Sequence, residues 1–231
     1  MFSFLDALKE LNISLNEKQI NQFEQYYNML VSYNEKVNLT AITEKEDVYI
    51  KHFYDSILVS KVIDLNNIKN IADVGSGAGF PSIPLKILYP HLEVTIIDSL
   101  EKRLVFLKEL ANTLGLGSIN LVHERAEDYK EGKEHFDLVT ARAVARQNIV
   151  NELCIPLTKI GGFFLSMKGA NFEEELKEGN SLNILGGKVE NIYQYELPLD
   201  SGKRAIIAIL HENKTPLSYP RNFGQIKKKP L

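Results

Sequence analysis

The spacing of apolar positions changes character near residue 70. Before it the period is helical. Ile20, Phe23, Tyr27, Leu30 and Asn34 recur at steps of three and four, which puts side chains on one face of a helix. Ser14-Leu-Asn-Glu17 reads as a capping box ahead of this run, the Ser side chain accepting from the backbone at Glu17 and the Glu reaching back. Thr43-Glu-Lys-Glu46 reads as a second box, followed by Val48, Phe53, Ile57, Leu58 and Val62 on one apolar face. Residues 1–64 are expected to be all-helical, with Tyr33 to Thr40 as the connection. Beyond residue 70, short unbroken apolar runs alternate with helical stretches. Ile71–Val74, Val94–Ile97, Ile119–Val122, Phe136–Thr140 and Phe163–Met167 read as buried strands. Pro84 suits a helix first turn. Leu100–Leu114 reads as a helix closed by Gly115. Lys188–Glu196 and Ala205–Leu210 flank Asp200-Ser-Gly202, a hairpin signal.

This alternation implies an α/β fold: a mostly parallel seven-stranded sheet with helices on both faces and an antiparallel C-terminal hairpin. The expected division is a helical extension over 1–64 packed on the core, a core over 65–213 and a basic tail over 214–231, all in one structural domain. Such a sheet binds ligands beyond the carboxyl ends of its strands, so the informative residues should follow strands.

Composition narrows the class. Apolar residues make up 44% and charged residues 25%, the balance of a soluble globular chain rather than a disordered one. The single Cys154 excludes a disulfide scaffold and reads as a buried core residue in an apolar, helix-like setting. No apolar run approaches the roughly 20 residues of a membrane span, and Met1 to Asp6 lacks the basic start of a secretory signal. A cytoplasmic protein is expected, and a monomer, because no coiled-coil repeat appears. The five His are scattered without metal-ligand spacing, so no metal is expected. Net charge is −3, which does not announce a nucleic-acid binder. Its distribution qualifies that: Lys214, Arg221, Lys227, Lys228 and Lys229 fall in a C-terminal stretch without an acidic side chain. That stretch is either a solvated end or a phosphate-contacting arm.

The densest chemistry lies in Asp73-Val-Gly-Ser-Gly-Ala-Gly-Phe-Pro81, directly after the first strand. Gly75 and Gly77 let backbone approach a ligand closely. The Gly-x-Gly-x-Gly spacing is neither the dinucleotide fingerprint nor a Walker loop. Asp98 ends the next strand, 19 residues after Gly79, where its carboxylate would accept from ribose hydroxyls. The ligand that matches is a nucleoside without pyrophosphate, S-adenosylmethionine. Two alternatives stay open on these residues: a nicotinamide oxidoreductase, and a catalytically silent module keeping the fold. A small-molecule or protein methyl acceptor stays open too. His52 and Asp55, one helical turn apart, either face the cofactor cleft or pack and pair beneath it.

Several segments carry a resemblance. They are Tyr33 to Ile42, His52-Phe-Tyr-Asp-Ser56, Asp73 to Pro81, Asp98-Ser-Leu-Glu-Lys-Arg103, Phe136 to Val144, Lys168-Gly169 and Tyr219-Pro-Arg-Asn-Phe-Gly224. With these the chain resembles, along nearly its whole length, the RsmG (GidB) family of bacterial small-subunit rRNA methyltransferases. It departs at Tyr33, where members often carry Trp, and at Ser82, where they often carry Gly. The resemblance implies a Rossmann-like S-adenosylmethionine-dependent methyltransferase fold. The implied reaction is methyl transfer to N7 of a guanine in 16S rRNA, with the rRNA or the small subunit as partner. It also implies cofactor contacts at Gly75, Phe80, Ala126, Glu127 and Arg142.

Guanine N7 has an in-plane lone pair and no proton, so attack from it needs no general base. No catalytic residue is assigned on that account; Arg142 and Lys168 are candidates for positioning. The Asn/Asp-Pro-Pro-Tyr/Phe signature of exocyclic-amine methylation is absent after the fourth strand, where Thr140-Ala-Arg-Ala-Val144 stands. Arg142 and Arg146 are cast as phosphate or O6 contacts. Lys168, Arg221, Lys227, Lys228 and Lys229 complete the expected RNA contacts. Another RNA or a small molecule is the alternative acceptor.

Overall fold

The structure, a computed structural model, describes residues 2–231. Seven strands form one sheet: β1 (Asn70–Val74), β2 (Glu93–Ile97), β3 (Ile119–Val122), β4 (Phe136–Arg142), β5 (Thr158–Lys168), β6 (Gly187–Glu196) and β7 (Lys203–His211). Their order across the sheet is β3-β2-β1-β4-β5-β7-β6. The first five are mutually parallel, and β7 runs antiparallel to both β5 and β6. The order reverses between β1 and β4, which opens a crevice at their carboxyl ends. Ligand chemistry is therefore expected just beyond Val74, Ile97 and Arg142.

Strand side chains alternate between two cores. On β7, Ile206 and Ala208 join one, while Ala205, Ile207 and Ile209 join the other. The first core is covered by α1 (Phe4–Glu10), α2 (Glu17–Val37), the irregular run α3 (Lys45–Val48) to α4 (Asp55–Ile57), α5 (Ser82–Leu88) and α6 (Glu101–Leu114). The second lies under α7 (Gln147–Cys154), α8 (Phe172–Leu176), α9 (Ser181–Leu185) and α10 (Phe223–Lys228).

The N-terminal helices are capped differently from the sequence expectation. Asn16, not Ser14, starts α2: its side chain accepts from Gln19 N–H at 2.9 Å, and the Gln19 side chain accepts from Asn16 N–H at 3.0 Å. Leu15, between the two, packs against the core. α3 begins after Glu44 with no side-chain cap, so the box at Thr43 does not form. α2 also runs on to Val37 through the expected connection, ending at Asn38 in a left-handed conformation. Its buried stripe is Gln22, Phe23, Tyr26 and Leu30, rotated away from Ile20, which is exposed. Between α3 and α4 the chain widens into a π-helical stretch, Tyr49–Tyr54, that carries His52. An extra residue per turn re-aims side chains, and such stretches collect at functional sites.

Strand assignments hold with extensions. β5 starts earlier than expected and absorbs Gly161 and Gly162, and β4 continues to Arg142. Helix α6 ends at Gly115 in the left-handed conformation expected there. The stretch 214–231 is not a loose arm. Ile226 of α10 is fully buried in the second core, and Asn222 caps α10 by accepting from Gln225 N–H.

Candidate functional site

The glycine loop after β1 is built to be held from beneath. Gly79 has φ +103, and a Cβ there would meet Ile83, Leu107 and the Tyr26 hydroxyl within 3 Å, so only glycine fits. Tyr26, buried on α2, donates its O–H to Ala78 O at 2.6 Å. Removing that donor from a buried carbonyl would cost about 1–3 kcal/mol. Tyr26 also stacks on Phe80 at 5.4 Å, so the N-terminal extension shapes the loop directly. Asp73 does not reach toward a ligand. It lies buried under the loop, accepts from Ser82 N–H at 3.1 Å and from the Thr140 hydroxyl at 3.2 Å, and burial pushes its carboxyl up to about 7. Ser82, standing where family members often carry Gly, opens α5 with its N–H on Asp73 and is tolerated because its φ is not positive.

Above the loop lies a cavity of about 450 Å³. Its lining includes Gly75, Gly77, Phe80, Asp98, Ala126, Glu127 and Arg142, so every expected cofactor residue meets in one place. Gly75 and Gly77 both have positive φ, and nothing lies within 4 Å of where a Gly77 Cβ would stand. The Asp98 carboxylate is oriented by Leu100 N–H at 2.9 Å and by Arg103 at 3.1 Å. Each of its oxygens can accept a second donor, as ribose hydroxyls would require. Glu127 Oε1 and Ser76 Oγ are buried without a hydrogen-bond partner among the described residues, and burial raises the Glu127 carboxyl. An unpaired buried acceptor is costly unless a ligand completes it. A nucleoside with an exocyclic amino group and a ribose diol fits this set; the carboxylates disfavour a phosphate.

Sequence reasoning missed part of the lining. Leu39 and Thr40 come from the loop after α2, and Ala143 and Ala145 from the loop after β4. Phe223 arrives from α10, with the Arg125 guanidinium 4.6 Å over its ring. The C-terminal segment therefore closes one side of this cavity. The aromatic among the basic residues was the signal available.

Arg142 does not stand free as a phosphate contact. It is the last residue of β4, and its Nη1 donates to Lys51 O and Asp55 Oδ2, both at 3.1 Å. Its Nη2 donates to His52 Nδ1 at 3.1 Å, and its guanidinium lies 4.8 Å over the Phe80 ring. His52 Nδ1 also lies 3.1 Å from Lys51 O, and Nε2 lies 3.0 Å from the Thr40 hydroxyl, so both ring nitrogens are engaged. Burial, reinforced by Arg142, lowers the His52 pKa to about 3, so the ring is neutral. Asp55 Oδ1 accepts from Tyr195 O–H at 2.7 Å. His52 and Asp55 thus do both things weighed for them: His52 lines the cleft, and Asp55 pairs beneath it.

A second cavity of about 500 Å³ adjoins the first. His52, Arg142, Ala143 and Ala145 line both. Ala143 holds φ +55, a left-handed conformation unusual for a side-chain-bearing residue. Lys168, Glu175, Tyr195 and Arg204 face this second space. Lys168 ends β5 as expected at the same edge of the sheet, donating to Ala145 O and to Glu175, both at 2.8 Å.

The remaining basic residues divide. Arg221 anchors the C-terminal segment: its Nε and Nη2 clamp Glu152 at 2.8 and 2.6 Å, and Glu152 is fully buried. A buried carboxylate requires such a partner, so this guanidinium is committed. Arg146 is exposed and pairs with Glu178. Lys227, Lys228 and Lys229 are exposed on and after α10. Cys154 is fully buried. Among the described residues no helix is long and apolar enough to cross a membrane.

Solved structures share this architecture. The ribosomal protein L11 methylase of Lactobacillus delbrueckii subsp. bulgaricus matches with TM-score 0.53 and 18% identity, over 71% of this chain and 79% of that one. A cyclase, SpnF, matches with TM-score 0.56 and 14% identity, over 70% and 81%. The likeness defines a Rossmann-like methyltransferase fold, and the cyclase shows that such a fold does not fix the reaction. Sequence goes further. The profile of the family described as GidB, rRNA small subunit methyltransferase G, matches residues 19–199. The proteins called Ribosomal RNA small subunit methyltransferase G from Staphylococcus carnosus and Bacillus subtilis are 51% and 49% identical to it, over 98–99% of this chain and 97% of theirs. The chain belongs to this family, rRNA small subunit methyltransferase G.

Proposed function

We propose that the protein transfers the methyl group of S-adenosylmethionine to N7 of a guanine in 16S rRNA. The cofactor, held by Gly75, Gly77, Asp98, Ala126 and Glu127, supplies an electrophilic methyl group on a sulfonium. The observation that carries the N7 reading is the wall shared by the two cavities. Its titratable members are His52 and Arg142, and both are engaged. Arg142 donates to three acceptors, and His52 has one nitrogen facing Arg142 and the other facing Thr40. Neither is free to take a proton, which suits a nucleophile that has a lone pair and no proton to lose. What the chain supplies is position: the loop after β4 separates donor and acceptor spaces so that the reacting atoms can meet near 3 Å. The names of the relatives support rRNA of the small subunit as acceptor.

The exposed Arg146 and Lys227–Lys229 support RNA contact, which makes affinity salt-dependent. The test is transfer of tritiated methyl from S-adenosylmethionine to small subunits from cells lacking the gene, followed by separation of rRNA from protein. Label is expected in the 16S rRNA. Label in protein, in transfer RNA or in small molecules alone would overturn the reading.

A further inference from the structure

The second cavity has walls of unequal character. Near the cofactor side stand His52, Arg142, Ala143 and Ala145, already committed to one another or apolar. Away from it stands an ion pair with spare capacity. The Lys168 ammonium donates to Ala145 O and to Glu175 Oε2, leaving one of its three hydrogens. Glu175 Oε2 also accepts from Gln147 N–H at 2.8 Å, while Oε1 has no partner among the described residues. Both side chains are mostly sheltered, Lys168 at 10% and Glu175 at 26% exposure.

From these contacts we infer that this cavity is the pocket of an extruded guanine, and that Lys168 and Glu175 read the base. The inference rests on the function proposed above. It follows from an order. Along the wall the sequence of groups is Ala145, shared with the cofactor cavity, then the Lys168 ammonium bonded to its carbonyl, then the Glu175 carboxylate bonded to the ammonium. Around guanine the order is N7, then O6, then N1–H and the 2-amino group. With N7 turned to the shared wall, the free Lys168 hydrogen meets O6, an acceptor. Glu175 Oε1 then meets N1–H or the 2-amino group, both donors. Adenine reverses this: its 6-amino group would face the ammonium and its bare N1 the carboxylate. A cavity of about 500 Å³ holds a nucleotide, and a base that undergoes chemistry has to leave its stack to reach such a site.

The carboxylate also acts on the reaction. The N7 lone pair forms the bond to the methyl carbon, the carbon–sulfur bonding pair stays on sulfur, and the positive charge passes to the purine without loss of a proton. That charge strengthens N1–H as a donor, so its bond to Glu175 is stronger in the transition state than in the bound substrate.

Glu175→Gln keeps an oxygen for Gln147 N–H but presents an amide to the base; Lys168→Met removes the O6 donor and leaves Glu175. The experiment compares both variants with the parent protein on small subunits carrying guanine or, by rRNA mutation, adenine at the modified position. S-adenosylmethionine affinity is measured by calorimetry in parallel. Expected is a fall of about 10–100-fold in kcat/KM on guanine for each variant, with cofactor affinity unchanged and the guanine-over-adenine ratio reduced. Guanine activity equal to the parent's, or a loss that leaves the base ratio unchanged or tracks cofactor affinity, would overturn the inference. If the parent itself labels no rRNA, the function fails first and the base pocket falls with it; a parent that labels guanine while the variants match it overturns the pocket alone.

Discussion

Arg142 meets Asp55 across 87 positions of sequence and His52 across 90. No local pattern reveals such a partnership, which is why His52 and Asp55 could be picked out but not joined. The glycines and Asp98 were legible because each follows a strand and its chemistry is local. Glu175 was not, because it lies on a short helix with Glu173 and Glu174 that reads as a solvated acidic face. The His52 assignment has a measurable consequence. Its ring pKa falls to about 3 in the fold against 6.5 for an ordinary histidine, so the unfolded chain binds a proton that the native one does not between those values. The stabilising contribution is complete above the ordinary pKa and is lost as pH falls toward the folded one, at up to about 1.4 kcal/mol per pH unit. His52→Gln, which keeps an acceptor for Arg142 and a donor for Thr40, should flatten the fall in stability between about pH 6 and 4 by about 1 kcal/mol per unit. Urea titrations across that range check it. Parallel slopes for both proteins would mean that His52 protonates in the fold.

α10 carries two separable jobs on one turn and a half of helix. Ile226 and Arg221 fasten it to the core and to Glu152, Phe223 lines the first cavity, and Lys227 and Lys228 stay in solvent. Composition showed the charge but not the docking, since one Ile and one Phe give too little periodicity to reveal a packed face. Phe223→Ala should weaken S-adenosylmethionine binding about fivefold to tenfold, equivalent to about 1–1.4 kcal/mol. Replacing Lys227, Lys228 and Lys229 together by Gln should leave that binding alone. It should instead lower the slope of log affinity for small subunits against log salt by about 0.7–0.9 for each phosphate no longer neutralised. Calorimetry and filter binding separate the two effects. An unchanged salt slope would mean that the lysines only solvate the end of the helix.

Across the molecule, the alternation of apolar runs foretold strands, crossovers and the antiparallel hairpin, because a sheet buried on both faces leaves that trace. It did not foretell that the N-terminal helices enter the active region. Tyr26 holds the glycine loop, and the π-helical turn delivers His52 to the wall between the cavities. Those roles depend on hydrogen bonds to backbone carbonyls and on a helix register that apolar spacing does not encode. The result is two cavities on either side of one partition, whose His52 and Arg142 are both engaged. The engaged His52 and Arg142 suit the acceptor proposed above, an atom with a lone pair and no proton to lose.

The most direct measurement is the position and chemistry of the methyl group itself. 16S rRNA from gene-deficient small subunits, treated with the protein and S-adenosylmethionine, would be reduced with borohydride, cleaved with aniline and mapped by primer extension. Methylation at guanine N7 predicts a single new scission that depends on both protein and cofactor. Methyl label in the rRNA with no scission would place the group on an atom other than guanine N7 and would contradict the account.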